Sequence, residues 1–181
     1  MADLGGNELI KSDIFEKVGL SESMHVGDLG CGNLGYFSVP AAKIVGKNGM
    51  VYAVDIQKPV LQAVEHIAKE EGLENIKTVW SNLEIVGATR IPADSLDLAV
   101  AINMLFIAEN DSVVFEEAYR LAKTGGKLLV IDWKSISTPF GPALEDRIKK
   151  EDAMKFAKDA RFNFIEEFEA GPYHFGLIFT K

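Results

Sequence analysis

Cys31 is the only cysteine in 181 residues, so no intrachain disulfide can staple this chain and no thiol-rich metal site can be assembled from it. An apolar run of about 18 residues, the least that spans a bilayer, is missing, as is a secretory leader. A soluble, cytoplasmic protein with no membrane partner is expected. Basic charge is scarce: 19 Lys and Arg against 27 Asp and Glu leave a net charge of −8. Without clustered cations there is no footprint for nucleic acid, and a small-molecule partner is favoured. No internal repeat, low-complexity tract or linker rich in Pro, Gly or Ser breaks the chain. Residues 1–181 are therefore read as a single domain, long enough to bury a core unaided. Oligomeric state leaves no mark on the sequence.

What the chain does contain is an alternation of short apolar runs and helical stripes. Glu8 to Val18 carries Leu9, Ile10, Ile14, Phe15 and Val18 at helical spacing, within an N-terminal helical extension over 1–22. Strands are predicted at Met24–Leu29, Met50–Asp55, Ile76–Trp80, Leu96–Ile102 and Lys127–Asp132. Helices are predicted at Tyr36–Val45, at Pro59–Glu71 with proline at its start, from Asn110 or Asp111 to Ala122, and at Lys150–Ala160. Gly125 and Gly126 are expected to end the third of these. The polar segment over 134–149, with its core at Ser135–Lys149, is too long for a tight connection and reads as a flap that closes with the N-terminal helix over a substrate. The charged run from Glu145 to Asp159 reads as a solvated helix face. Phe164–Glu169 and His174–Thr180 are separated by too few residues for a crossover helix, so they form a hairpin and the last strand is antiparallel. The fold class is α/β, a doubly wound, mostly parallel sheet of seven strands with an antiparallel last strand.

The chemistry concentrates at Val26 to Phe37, where an apolar strand breaks into Gly30, Gly32 and Gly35 before a helix resumes. Glycines at G-x-G-x-x-G spacing let backbone take positive φ and approach a ligand closely. The spacing fits two nucleotide cofactors. A nicotinamide-dependent oxidoreductase is one reading, since Asp55 follows Gly35 by twenty residues. Asp28, two residues before the first glycine, speaks for another, because a nicotinamide-type turn keeps a small or apolar residue there.

Taken together, Asp28-Leu29-Gly30-Cys31-Gly32-Asn33-Leu34-Gly35, Val54-Asp55, Trp80-Ser81-Asn82-Leu83, the run Lys123 to Asp132 and the terminal hairpin resemble the class I S-adenosylmethionine-dependent methyltransferases. The similarity is greatest to the small-molecule branch that includes quinone-biosynthesis and arsenite methyltransferases. The resemblance implies strand order 3-2-1-4-5-7-6, a Rossmann-like fold, and S-adenosylmethionine as methyl donor with S-adenosylhomocysteine as product. It implies that Gly30 and Gly32, with Cys31 between them, admit the methionine part of the cofactor above Asp28. Asp55 would take the ribose hydroxyls, Ile56 the adenine face, and Asn82 with Leu83 the adenine edge. Asn103 would meet the cofactor ammonium.

Methyl transfer from a sulfonium is an in-line displacement with a neutral leaving group, so the protein's task is mainly positioning. An antiparallel last strand starts at the edge where the parallel strands end, which places Tyr36, Met104, Trp133 and Tyr173 as the acceptor pocket and His174 or Asp132 as general base. The Asn/Asp-Pro-Pro-aromatic motif for planar amino nitrogens is absent after Asn103. Cys31 alone cannot hold arsenite, and no metal-ligating set is expected. Arg161 stands at a helix end where the family usually has glycine. The sequence also fits a module that binds the cofactor without turnover.

Overall fold

The computed structural model describes residues 10, 13–32 and 34–181. Seven strands form one sheet in the order β3-β2-β1-β4-β5-β7-β6, built from β1 (His25–Leu29), β2 (Met50–Asp55), β3 (Ile76–Trp80), β4 (Leu96–Ile102), β5 (Ala122–Trp133), β6 (Asn163–Glu169) and β7 (His174–Thr180). The five strands β1 to β5 run parallel, and β7 pairs antiparallel with both β5 and β6. Strand order and the reversed hairpin agree with the sequence reading.

Helices cover both faces, as parallel strands require, since a βαβ crossover leaves no face free for water. On one face, α1 (Ile14–Lys17) and α2 (Ser38–Val45) bring Ile14, Phe15, Ala41, Ala42 and Val45 against Val26, Val51, Val100 and Ile131. Farther along that face, α3 (Lys58–Glu70) packs Leu61 and Val64 on Ala53. On the other face, α4 (Asp111–Leu121) and α5 (Lys150–Asp159) place Val114, Phe115, Ala118, Ala153 and Ala157 against Ala99, Leu128, Val130 and Leu177. Pro40 is the third residue of α2, where its missing N–H has no intrahelical partner to lose. Of the helix expected over Glu8–Val18, Ile14–Lys17 is helical; Glu8 and Leu9 lie outside the described residues.

Two expectations are corrected. The strand predicted at Lys127 already starts at Ala122. Gly125 and Gly126 therefore form a bulge within β5 rather than a helix end, shifting the register between the Leu96↔Ala122 and Leu98↔Lys127 pairs. A Cβ on Gly126 would lie 2.7 Å from the Leu96 carbonyl oxygen, so only glycine fits that crossing. The charged run 145–159 is not a single solvated face. Its first five residues belong to the flap, and Arg147 is buried there.

Candidate active site

Strand β1 ends in a turn whose Gly30, Gly32 and Gly35 all have positive φ, at +81°, +64° and +56°. The amides of Gly30 and Cys31 both donate to the Val54 carbonyl at 2.9 and 3.0 Å, fastening the turn to the end of β2. A Cβ on Gly30 would stand 2.8 Å from Met104 Cβ, whereas one on Gly32 would meet nothing within 4 Å. Gly30 thus makes room for the β4 loop, and Gly32 faces open space where a ligand can come close to backbone.

Two carboxylates flank this turn. Asp28 is buried and accepts a 2.6 Å hydrogen bond from the Ser38 hydroxyl in the first turn of α2. Burial pushes its carboxyl up to about 6, against that hydrogen bond. Asp55 at the end of β2 accepts from the Gln57 amide through Oδ1 at 2.9 Å and from the Gly32 amide through Oδ2 at 3.4 Å. Each carboxylate oxygen keeps a further lone pair, enough to receive a diol. Cys31 is buried between them, and burial with both negative charges pushes its thiol far up, so it is a neutral packing group.

Beyond Asp55, Ile56 is 56% exposed and Trp80 60%. The Trp80 indole N–H donates to the Ile56 carbonyl at 2.8 Å, and the Lys58 ammonium sits 4.4 Å from its ring, which braces the β2–α3 turn. Asn82 Oδ1 accepts from the Glu84 amide at 2.8 Å, so the oxygen expected to meet adenine already serves its own loop and has one lone pair left. The Leu83 side chain belongs to the buried core, so it is not presented to a ligand. The loop after β3 is held against α4 by Glu117, which accepts from the Gly87 amide, from Thr89 and from Arg120. Asn103, just past β4, has φ +50° and donates its amide to the Ile131 carbonyl at 2.9 Å. A left-handed asparagine costs free energy that well-packed surroundings must supply, a feature common at functional loops.

On the β5–β7 side the reversed strand puts Trp133 opposite His174 and Asp132 opposite Phe175. Asp132 accepts from the Trp133 amide at 2.8 Å and the Leu105 amide at 3.2 Å. Burial nevertheless pushes its carboxyl up to about 7, with Asp111 adding to the rise and Arg147 opposing it. The His174 ring lies 4.4 Å from the Trp133 ring. Burial, then the charges of Lys134 and Arg147, lower its imidazole to about 4, so it is neutral at pH 7. Tyr36 is partly exposed at the first turn, Met104 is half-buried over Gly30, and half-buried Tyr173 meets Phe140 of the flap edge-on at 5.2 Å. Trp133 and His174 are enclosed beneath the flap rather than open to solvent.

The sequence-selected residues thus fall into two groups at one sheet edge: Asp28, Gly30, Cys31, Gly32, Asp55, Ile56 and Asn82 about β1–β3, and Asn103, Met104, Asp132, Trp133, Tyr173 and His174 about β4, β5 and β7. Three contributors escaped the sequence reading. Ser38 is Asp28's partner, Trp80 braces Ile56, and Arg147 fills the flap. A hydroxyl in the first turn of the helix after a glycine loop is a signal for the first; the other two bonds are long-range and leave no pattern.

S-adenosylmethionine fits these residues on their chemistry. An acid buried with no cation acting on it among the described residues suits an ammonium, and a carboxylate with unused lone pairs suits a ribose. The open backbone at Gly32 admits the chain between them.

Comparison with known proteins agrees. A family model described as "Methyltransferase domain" matches residues 20–167. The ubiquinone/menaquinone biosynthesis C-methyltransferase UbiE of Hydrogenovibrio crunogenus is 29% identical over 136 residues, covering 75% of this chain and 52% of that protein. Demethylmenaquinone methyltransferase of Geobacillus sp. is 26% identical over 122 residues, 67% of this chain and 50% of that protein. The chain spans about half the length of these curated relatives. A crystal structure of a SAM dependent methyltransferase from Aquifex aeolicus superposes with TM-score 0.86 at 26% identity, covering 95% of this chain and 90% of that one. With the acid-flanked glycine turn, the reversed terminal strand and the family match in agreement, the nicotinamide reading falls away, and the chain belongs to the methyltransferase-domain family, with the architecture of its class I S-adenosylmethionine-dependent members.

Proposed function

We propose that the protein transfers a methyl group from S-adenosylmethionine to a small ring-bearing acceptor of the quinol type. The observation that carries the donor half is the convergence of buried Asp28, the open Gly32 backbone and the bridging Asp55 carboxylate on one turn. The acceptor half is supported by the two quinone-pathway relatives and by the aromatic side chains Trp133, Phe140 and Tyr173, which touch one another in series past β5 and β6.

In this reading Asp28 accepts hydrogen bonds from the cofactor ammonium, and Asp55 orients the ribose. Bound there, the cofactor supplies an electrophilic methyl on a sulfonium whose leaving group is a neutral thioether. The chain's remaining tasks are to align the acceptor and to accept its proton. Asp132, held near 7, can take a phenolic proton at neutral pH, which leaves the ring electron-rich for attack from oxygen or carbon. His174, paired with Trp133 on the neighbouring strand, stays neutral and offers a hydrogen-bonding nitrogen. Asn103 shapes the passage between donor and acceptor groups from its left-handed position.

The test is incubation with methyl-labelled S-adenosylmethionine and a panel of short-chain demethylated quinols and simple phenols, together with calorimetry of S-adenosylhomocysteine binding. The expected result is label in a quinol, with binding weakened at least roughly tenfold in Asp55→Ala, from loss of charge-assisted hydrogen bonds to the ribose. Cofactor binding without turnover of any acceptor would point instead to a binding module. Tight NADH binding with no affinity for either methionine cofactor would refute the donor assignment.

A further inference from the structure

Arg147 is an unusual occupant of the flap. It is 7% exposed, yet its hydrogen bonds among the described residues go to uncharged acceptors. Nε donates to the Pro142 carbonyl at 3.1 Å. Nη1 donates to the carbonyls of Lys134 and Ile136 at 2.9 and 2.7 Å. Nη2 donates to the Thr138 hydroxyl at 2.6 Å and again to Pro142 at 2.9 Å. Every one of these partners lies within the flap. A guanidinium presents five N–H donors in a rigid fork, and here that fork ties four points of a loop that has little regular structure.

The flap's contact with the sheet is of a different kind. The guanidinium lies 5.0 Å from the Trp133 ring centre, Gly141 presses on the same indole, and Phe140 meets it edge-on at 6.2 Å. A Cβ on Gly141 would come within 2.7 Å of that ring. Meanwhile Ile136, Phe140 and Leu144 stay partly exposed, and Ile148, where the flap joins α5, is the apolar side chain of the flap that enters the core, so the middle of the flap is held by its seat on Trp133 and its end by Ile148. Below Trp133, neither ring nitrogen of His174 nor the indole nitrogen of Trp133 has a hydrogen-bond partner among the described residues, and all three are buried. Unmet buried polar atoms cost free energy that is recovered when a polar ligand or water reaches them.

We infer that Arg147 is a positioning residue that folds residues 134–149 into a preformed lid and seats it on Trp133, so that the lid lifts as one body to admit an acceptor to the Trp133–His174 pair. This rests on the acceptor site assigned above. Internal bonds keep the lid folded while it moves, and the aromatic seat is the contact that breaks. The lid also carries a charge. The charged groups acting on His174 are Lys134 and Arg147, and those on Asp132 are Asp111 and Arg147, so lid position bears on each of these residues through one guanidinium.

The test needs neither cofactor nor acceptor, so it stands or falls separately from methyl transfer. Amide hydrogen exchange over 134–149 and the NMR titration of the His174 ring, assigned with His174→Asn, are compared in wild type, Arg147→Met and Arg147→Lys. In Arg147→Met, exchange over the flap should rise at least roughly tenfold, and the His174 titration should move up from about 4 by about one unit or more as charge is removed and water enters. Arg147→Lys keeps the charge without the fork. It should therefore lose flap protection while shifting His174 less, and it carries the test if the Met variant does not fold. Wild-type exchange in Arg147→Lys would show that the fork does not hold the lid. An unmoved His174 titration in Arg147→Met would break the link to the pair.

Discussion

Asp28→Asn should make this protein more stable and bind its cofactor less well, and the size of both effects follows from one buried carboxyl. Burial raises Asp28 from an ordinary 3.8 to about 6. The folded chain therefore holds a proton that the unfolded chain releases between those values, and stability falls as pH rises through that window. Each unit is worth about 1.4 kcal/mol, so the ionised side chain costs about 3 kcal/mol at pH 8 and about 1 kcal/mol at pH 4.5. Asparagine keeps an oxygen for the 2.6 Å bond from Ser38 and removes the charge. For a chain of this length, about 3 kcal/mol corresponds to a melting temperature raised by about 6–12 °C at pH 8, with a smaller gain at pH 4.5. Thermal melts of both proteins across that range, without cofactor, measure it. Calorimetry then completes the argument: wild-type affinity for S-adenosylhomocysteine should strengthen as pH rises through about 6, and the variant should lose both affinity and pH dependence. A variant equally or less stable at pH 8, or a gain that does not change with pH, would refute the assignment of Asp28 as a charge held in reserve for a cation.

Three further outcomes are expected. Gly30→Ala and Gly32→Ala share the strain of positive φ, about 1–2 kcal/mol. Only the first meets Met104, so urea unfolding should show Gly30→Ala to be the more destabilised, and equal losses would deny that contact. Arg161 has φ +74° and lies 4.9 Å from the Tyr119 ring. Arg161→Gly should relieve about 1 kcal/mol of strain and forfeit about 0.5 kcal/mol of cation–π attraction, raising the urea midpoint slightly. Finally, if Asp132 is the base, kcat for an identified acceptor should rise through about pH 7 as its carboxyl ionises, and Asp132→Asn should lower kcat and flatten the profile.

The sheet was legible because its signals are local. Short apolar runs alternate with helical stripes, and the stretch from Ala170 to Tyr173 is too short to cross over, which by itself reverses β7. Asp28, the glycines and Asp55 were legible because spacing along the chain translates directly into position on one turn. The start of β5 was not, because Gly125 and Gly126 look like a helix end until the Leu96 carbonyl is placed beside them. Arg147 was not, because a charged residue in a charged stretch carries no sign of burial. Its partners are three backbone carbonyls, which every residue has, and one hydroxyl, and only the folded loop brings Lys134, Ile136, Thr138 and Pro142 around one guanidinium. The enclosure of Trp133 and His174 follows from the same loop and was hidden for the same reason.

The two raised acids differ in a way that bears on their roles. Both lie toward the C-terminal ends of strands that flank β4, and burial dominates both shifts. Ionised at neutral pH, each costs the fold several kcal/mol that a serine or asparagine in its place would not. Among the described residues no cation acts on Asp28: Ser38 donates to it and Asp55 repels it. Its free energy falls most when a fixed positive charge arrives, as a cofactor ammonium would. Asp132 already has Arg147 within electrostatic reach and two backbone amides donating to it, yet remains near 7. A fixed cation is thus partly supplied, and what Asp132 can still gain near neutral pH is a proton. The same burial, with and without a nearby guanidinium, suits one acid to hold a charged donor and the other to take a proton from an acceptor.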